Sequence, residues 1–386
     1  MSVATGSRAP VAPIFSFPYL LNPGRTLAWL REHDPMHELP GTDLLVLSRY
    51  DDCLAALNNP DLSAAGGQQE RREVSGSPTS MLNSDGAEHA RLRRPGAALL
   101  GPAAVRRAEP IIAAGIADLL DGLGPQADLT PQIARPIATL ALAAVLGIAD
   151  LERFAQCAAD VEPVLDPRPT PAAAATGQEA VARLHDFVGP LVDAAAPGTP
   201  LHTLARSAEI TRTDALGIIS LATIGGWGPL AELTTVAIHQ LLNQPNWGAV
   251  AVDPTWRTGF AEDVTRWHTP IPFAARRALL DVELPSGTIP AGRQVLIHLG
   301  SADTDPQHFA DPDLIRSDRE RPRDHVAYGS GAHFCLGAAL IRGVLPIVLE
   351  QFAVRFPAAR LRGSALVWQP VAFPRRPFSA VVELAP

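Results

Sequence analysis

Apolar residues recur at helical spacing over most of the chain, whereas strand-like alternation is confined to short stretches. The pattern predicts helices over residues 26–32 and 51–57, with a strand at 44–47 between them. Two apolar helices follow between residues 104 and 147, and the second is nearly all aliphatic, so we expect it in the core. The protein is therefore predicted to be mainly α.

The second half of the chain combines long helices with a few strands. Helices are predicted over residues 211–244 and 336–349. Residues 281–297 predict a hairpin, and residues 367–384 alternate as strands do. We expect a large helical region with a smaller β-rich lobe, in a single domain that spans residues 1–386.

Glycine, serine and proline interrupt the helical pattern at two places. Residues 65–79 are rich in glycine, serine and charge, and they predict a loop. Prolines break the pattern at residues 164–171, which form either the hinge of a lid or an ordinary surface loop.

The middle of the predicted helix at 211–244 contains residues that disfavour a helix. Each glycine costs about 1 kcal/mol and an interior proline about 3 kcal/mol. We therefore expect a kink or an opened turn, whose free carbonyls would bind water or substrate. The candidate catalytic residues of this stretch are Gly225, Gly226, Trp227, Gly228 and Pro229.

Composition narrows the function classes. Hydrophobic residues make up 47% of the chain, enough for a sizeable core, and the net charge of -8 argues against a general nucleic-acid binder. Residues 1–18 contain no apolar run long enough for a signal peptide or a spanning helix, so we expect a cytoplasmic protein without a membrane partner. The three cysteines, Cys53, Cys157 and Cys335, show no paired spacing typical of zinc or disulfides.

Cys335 lies between a glycine-rich turn and the start of a predicted helix. Gly329 and Gly331 allow backbone conformations that bring the chain close to a flat ligand. A helix N-terminus favours an anionic sulfur, so we expect a lowered thiol pKa and a thiolate suited to bind a metal. The alternative is a buried free cysteine, which is common in proteins.

Residues 328–337, Tyr-Gly-Ser-Gly-Ala-His-Phe-Cys-Leu-Gly, resemble the haem-binding loop of the cytochrome P450 family, Phe-Gly-x-Gly-x-His-x-Cys-x-Gly. They depart from it only at Tyr328. The resemblance implies a cytochrome P450 fold of the soluble bacterial type, with haem b as cofactor and Cys335 as the axial metal ligand. It places Tyr328, Gly329, His333 and Gly337 in the cofactor-binding loop. A thiolate ligand favours O–O cleavage.

Residues 85–94 resemble the family's Asp-Pro-Pro-x-His-x-x-x-Arg segment. His89 and Arg93 are four residues apart, which puts both on one helical face, where they could hold a haem propionate. A basic solvated face is the alternative. The resemblance adds Arg276 and His333 as propionate anchors. It also matches Asp263-x-x-Arg266 to the family's Glu-x-x-Arg pair, with a shorter acid.

The family's distal helix normally carries Ala-Gly-x-acid-Thr, whose acid and alcohol relay protons during oxygen activation. Counting back without gaps from Leu-Leu-Asn-Gln-Pro at 241–245 puts the acid position on Gly228 and the alcohol position on Pro229. Neither residue carries a proton. Glu232 is a rival relay, but it lies about a turn too far along, and a solvated or capping role is preferred for it.

The resemblance implies a haem-thiolate oxidoreductase that oxidises an organic small molecule, a secondary metabolite. Because the acid–alcohol pair is missing, we expect an atypical reaction: oxidative coupling, cyclisation, rearrangement or substrate-assisted oxygenation. Electrons would come from ferredoxin and ferredoxin reductase, or peroxide would replace them. The alternatives are an ordinary monooxygenase that hydroxylates a natural product, and a catalytically silent haem-bearing module that binds a ligand or recruits a partner.

Overall fold

Helices form most of the molecule, as the apolar spacing predicts. The computed structural model describes residues 11–65, 80–165, 171–363, 366–371, 375–378 and 380–384. The α-helices are α1 (Phe17–Leu21), α2 (Gly24–His33), α3 (Tyr50–Asn58), α4 (Gly86–Leu100), α5 (Pro102–Asp121), α6 (Arg135–Leu146), α7 (Leu151–Val161), α8 (Pro171–Asp193), α9 (Pro200–Ala205), α10 (Arg212–Leu242), α11 (Ala249–Val252), α12 (Pro254–Trp267), α13 (Leu299–Ala302) and α14 (Ala338–Arg355). A π-helix (Leu129–Ala134) precedes α6, and 3-10 turns lie at Glu162–Leu165 and Gly331–His333.

Short strands form a separate lobe and a smaller patch. The strands are β1 (Met36–Glu38), β2 (Leu44–Leu47), β3 (Leu62–Ser63), β4 (Gln126–Asp128), β5 (Phe273–Ala278), β6 (Val282–Leu284), β7 (Gly287–Ile289), β8 (Gln294–His298), β9 (Arg360–Leu361) and β10 (Val381–Glu383). The main sheet has the order β1-β2-β8-β5-β3, in which only β2 and β8 run parallel. A three-stranded sheet, β4-β10-β9, and the hairpin β6-β7 complete the lobe.

The predicted hairpin is confirmed but is shorter than expected. Its antiparallel pairing joins Val282 to Ile289 and Leu284 to Gly287. The following strand, β8, leaves the hairpin and pairs with β2 and β5 instead. The tail contains β10 and an isolated bridge between Trp368 and Pro377.

Helix α10 lies in the centre of the helical region and is mostly buried. Thr211 caps it, and Asp214 completes a reciprocal capping box, as its sequence predicts. Two helical segments, Leu129–Leu146 and Arg212–Leu242, are long and apolar enough to cross a membrane by length and composition alone. Most of each is buried inside the fold, as expected for core helices.

The opened turn that we expected in α10 is absent, whereas the expected kink stays a prediction. The helix runs unbroken from Arg212 to Leu242 with Pro229 inside it. Pro229 lacks an N–H, so the Gly225 carbonyl loses its usual helical donor, although the helix continues. Packing offsets the poor helix propensity from Trp227 onward, because residues 227–239 are all buried.

Residues 66–79 and 166–170, which include most of the predicted loop and of the proline-rich break, lie outside the described residues.

Candidate functional site

The cysteine loop has the backbone that its glycines predict. Gly329 and Gly331 adopt left-handed φ values of 69° and 67°. A Cβ at Gly331 would lie 3.0 Å from both the Asn58 side chain and the Leu57 carbonyl. The Cys335 N–H donates to the Tyr328 carbonyl at 2.7 Å, which closes the loop just before α14. The loop therefore holds the sulfur in one place at the beginning of a helix.

The pKa of the Cys335 thiol is shifted in the direction opposite to the one predicted from sequence. Burial raises its pKa, and this outweighs the lowering by the Gly337 and Ala338 N–H groups and by Arg93. The prediction of a lowered thiol pKa is therefore wrong for the protein chain alone. The helix N-terminus acts in the expected direction, but desolvation is the larger effect.

Four basic side chains surround the loop, and the structure brings together all those predicted from sequence. Arg93 donates to the Phe334 carbonyl at 2.5 Å, and the His89 and His333 ring centroids are 4.3 Å apart. Arg276 is buried on β5, where it donates to the Ala275 carbonyl at 2.8 Å. The charge of Arg276 acts on both His89 and His333, so His89, Arg93, Arg276 and His333 form one cluster beside Cys335.

The cluster has too little negative charge of its own. His333 contacts Asp85 at 3.2 Å, but within the described part of the chain neither Arg93 nor Arg276 forms an ion pair with a carboxylate. The buried Nε2 atom of His89 also has no hydrogen-bond partner there. Burial, with Arg276 and His89 nearby, lowers the pKa of His333 to about 4. Arg276 is a buried cation and Arg93 a half-buried one, and neither has a carboxylate ion-pair partner in the described residues, which fits a ligand that carries carboxylates.

One face of α10 remains partly open where the rest of the helix is buried. Leu221, Ile224 and Gly225 are half-buried, and a Cβ at Gly225 would meet nothing within 4 Å. Helix α4 links this face to the cysteine loop, since a Cβ at Gly96 would lie 3.6 Å from Ile218 and 3.0 Å from Leu336. An apolar, partly open helix face and the cysteine thus border one region of the fold.

The other candidate catalytic residues of α10 face away from that opening. Trp227 is buried against α6, where its indole N–H donates to Thr139 at 2.9 Å, so this candidate catalytic residue does not reach the open face. A Cβ at Gly226 would lie 3.3 Å from Leu142, and Pro229 is buried. Gly228 faces the 3-10 turn that follows α7. Of this stretch, Gly225 borders the partly open face, and Gly228 lines a cavity beside Glu162.

Glu232 is the main surprise on α10. It is 3% exposed, and both carboxyl oxygens lack a hydrogen-bond partner in the described residues. Burial, reinforced by the charge of Glu162, raises the pKa of Glu232 well above its usual range. The preferred solvated or capping role is therefore wrong, because the side chain is neither at the surface nor at a helix end.

The predicted pair of Asp263 and Arg266 is confirmed as a buried ion pair at 2.5 Å. Arg319 donates to the same carboxylate at 2.5 Å, and its side chain is largely buried. The adjacent Glu262 accepts from Arg342 at 2.7 Å and from His325 at 3.1 Å. Two consecutive acids therefore tie α12 to the segment that leads to the cysteine loop.

A cysteine at a helix start, a cluster of unpaired cations and an apolar helix face together define a class: proteins that hold a flat, carboxylate-bearing metal cofactor through sulfur. Residues 262–363 match the family model described as Cytochrome P450. The chain is 31% identical to nocardicin C N-oxygenase of Nocardia uniformis over 83% of this chain and 84% of that protein. It is 29% identical to biflaviolin synthase of Streptomyces coelicolor, over 81% and 80% of the two chains.

Solved structures agree with these relatives. The fold superposes on CYP164A2 of Mycobacterium smegmatis with a TM-score of 0.84 and 27% identity, covering 96% of this chain and 98% of that one. CalO2 superposes with a TM-score of 0.89 at 23% identity, covering 98% and 100% of the two chains, which shows the shared fold. The chain belongs to the cytochrome P450 family of haem-dependent oxidoreductases. The predicted fold class and family resemblance are thereby confirmed.

Proposed function

We propose that this protein oxidises an organic small molecule, a secondary metabolite, at a haem b held by Cys335. The observation that carries the proposal is the loop of Gly329 to Cys335 beside Arg93 and Arg276, which form no ion pair with a carboxylate in the described residues. Haem bound through a thiolate supplies oxygen activation, because the sulfur donates electron density and favours O–O cleavage. The names of the relatives, which refer to nocardicin C and biflaviolin, support a substrate of this class.

The residues of the cluster receive roles from their positions. Cys335 is proposed as the metal ligand, and His89, Arg93, Arg276 and His333 as anchors of the propionates. Gly329 and Gly337 keep the loop free of side chains on the cofactor side, and the Tyr328 ring packs under Arg342 at 4.8 Å. These side chains bind and orient the cofactor, whereas Leu221, Ile224 and Gly225 would border the substrate.

The reaction class follows from what α10 lacks. Gly228 and Pro229 supply neither an acid nor an alcohol, and losing a positioned acid–base group typically costs about a hundred-fold to ten-thousand-fold in rate. An atypical reaction that draws protons from its substrate or from ordered water fits this helix. Oxidative coupling, cyclisation, rearrangement and substrate-assisted oxygenation are the candidates.

Ordinary hydroxylation of a natural product is the second candidate, and one observation favours it. A carboxylate from another element, Glu162, lies beside Gly228, so an acid is present near α10 although α10 does not carry it.

Electrons would come from ferredoxin and ferredoxin reductase, or peroxide would replace them. We also propose a cytoplasmic location.

The proposal is tested by loading the purified chain with haem and recording the reduced carbon monoxide spectrum. We expect the band typical of a thiolate ligand in the wild type and its loss in Cys335→Ser. Cys157→Ser, which changes another buried cysteine, should retain it. A colourless protein in excess haem, or a thiolate band in Cys335→Ser, would refute the proposal.

Turnover then separates an enzyme from a silent haem-bearing module. Candidate metabolites are screened by the spectral shift on binding, and those that bind are supplied with NADH and a ferredoxin system or with peroxide. A thiolate band without oxidation under either supply would favour the silent module.

A further inference from the structure

Gly228 leaves room for a carboxylate that comes from elsewhere in the chain. A Cβ built on Gly228 would lie 2.9 Å from Oε1 of Glu162, which belongs to the 3-10 turn at Glu162–Leu165. The carboxylate of Glu162 therefore occupies the space into which a side chain at position 228 would project. Any larger residue at 228 would displace it.

Arginines hold Glu162 in this place. Arg376 contacts its Oε2 atom at 2.8 Å and Arg135 contacts the same atom at 3.6 Å, although the Glu162 side chain is only 8% exposed. Arg135 is 40% exposed and lies over the Trp227 ring, 5.3 Å from the ring centroid. The buried carboxylate is thus linked to solvent through a partly exposed guanidinium.

Glu232 lies one helical turn beyond Gly228 and lines the same cavity. The cavity has a volume of about 220 Å³, and Thr130, Asp128 and Gln369 add polar groups to its wall. This polar volume is large enough for several water molecules. Glu232 has two buried oxygens without partners in the described residues, so it is an unpartnered acid in the wall of this cavity.

The charged groups around Glu232 come from four elements besides its own helix. They are Arg135 of α6, Glu162 of the 3-10 turn, and Arg376 of the C-terminal segment, with Asp128 of β4 on the same cavity wall. Burial and the negative Glu162 raise the pKa of Glu232, and the arginines oppose this without cancelling it. Burial therefore favours the protonated, neutral form of the Glu232 side chain.

We propose that Glu162 and Glu232 replace the acid and alcohol missing from α10, and that their cavity is the route by which protons reach the distal side. This inference rests on the proposed haem-dependent function. Of the two reaction classes proposed there it favours ordinary hydroxylation, because a proton source is then present. In each transfer the Glu232 O–H gives its proton to a cavity water and becomes a carboxylate. A proton from solvent then passes through water held by Glu162 and restores the acid. One proton moves inward, and no electron is exchanged.

The first test needs no turnover. Infrared spectra of the protein in H₂O and D₂O should show the C=O band of a protonated carboxylic acid that is lost in Glu232→Gln. Transfer into D₂O should shift this band quickly in the wild type and at least about tenfold more slowly in Glu162→Gln. Glu179→Gln, which changes an exposed glutamate, should match the wild type. A band that persists in Glu232→Gln would overturn the proposal.

The second test separates proton delivery from electron delivery. Oxygen-dependent NADH oxidation through ferredoxin, without added substrate, should slow by on the order of a hundred-fold in Glu162→Gln and Glu232→Gln. Haem reduction trapped by carbon monoxide consumes no distal proton, so its rate should stay that of the wild type. Unchanged NADH oxidation in both variants would overturn the proposal, whereas a wild type without the thiolate band would instead defeat the proposed function.

Moving the carboxylate gives a rescue experiment. Gly228→Asp alone should be impaired, because its side chain collides with Glu162. Combined with Glu162→Ala, it should regain most of the lost NADH oxidation, since one carboxylate again lies at that place. The carbon monoxide band checks that each variant is folded. A folded double variant as slow as Glu162→Gln would contradict the assignment.

Discussion

Asp263 is the position at which a single substitution should reveal the architecture behind the cysteine loop. Its side chain is 0% exposed and accepts from Arg266 at 2.5 Å, from Arg319 at 2.5 Å and from the Arg316 N–H at 2.6 Å. Asp263→Ala would leave two arginines without their shared counter-ion inside the protein. Such uncompensated buried charge is the main cost of breaking a buried ion pair.

The size of the effect follows from the remaining contacts. Removing one partner of a buried pair costs about 3–5 kcal/mol. Arg266 would keep three backbone acceptors, the carbonyls of Asp303, Pro312 and Leu314. We therefore expect the lower end, about 3 kcal/mol, which is a large part of a typical total stability of about 5–15 kcal/mol.

The assay is urea unfolding of the haem-loaded protein, followed by tryptophan fluorescence at a fixed excess of haem. Asp318→Ala serves as the control, because Asp318 forms only an exposed pair with Arg316. We expect the unfolding midpoint of Asp263→Ala to fall clearly below that of Asp318→Ala. Equal midpoints would refute the claim that Asp263 balances buried charge.

Three further predictions concern the cofactor cluster and pH. Gly331→Ala, which forces a Cβ to 3.0 Å from two neighbouring atoms at a φ of 67°, should lower the haem absorbance per protein without changing the helical circular dichroism. Arg276→Ala should speed haem loss to apomyoglobin by about tenfold, as expected for one lost charged hydrogen bond, while the exposed Arg25→Ala should not. Burial lowers the pKa of His298 to about 3, and its Nδ1 accepts from the Ser301 N–H. Below about pH 6.5 the His298 imidazole binds a proton in the unfolded chain but not in the folded chain. The free energy of unfolding should therefore fall by about 1.4 kcal/mol for each pH unit on acidification toward pH 3. His298→Gln should remove that slope in urea titrations, and an unchanged slope would contradict the assignment.

Some features of the site follow from residues close together in sequence. The glycines at 329 and 331 require left-handed backbone, and His89 and Arg93 share a face because one helical turn separates them. Such local geometry depends little on what packs around it. The sequence alone therefore determined the family, the cysteine loop and the candidate cofactor anchors.

Other features depended on how α10 is rotated about its own axis and on what packs against each of its faces. Helix propensity predicted a kink or an opened turn at Gly225 to Pro229, but the helix is continuous there and is buried from Trp227 to His239. The same packing buries Trp227 and Glu232. The sequence shows that position 228 carries glycine where the family has an acid. Only the tertiary structure decided that the carboxylate of Glu162, which is distant along the chain, occupies the space beside Gly228. Contacts between remote segments leave no local spacing to recognise, because they are set by the packing of whole elements.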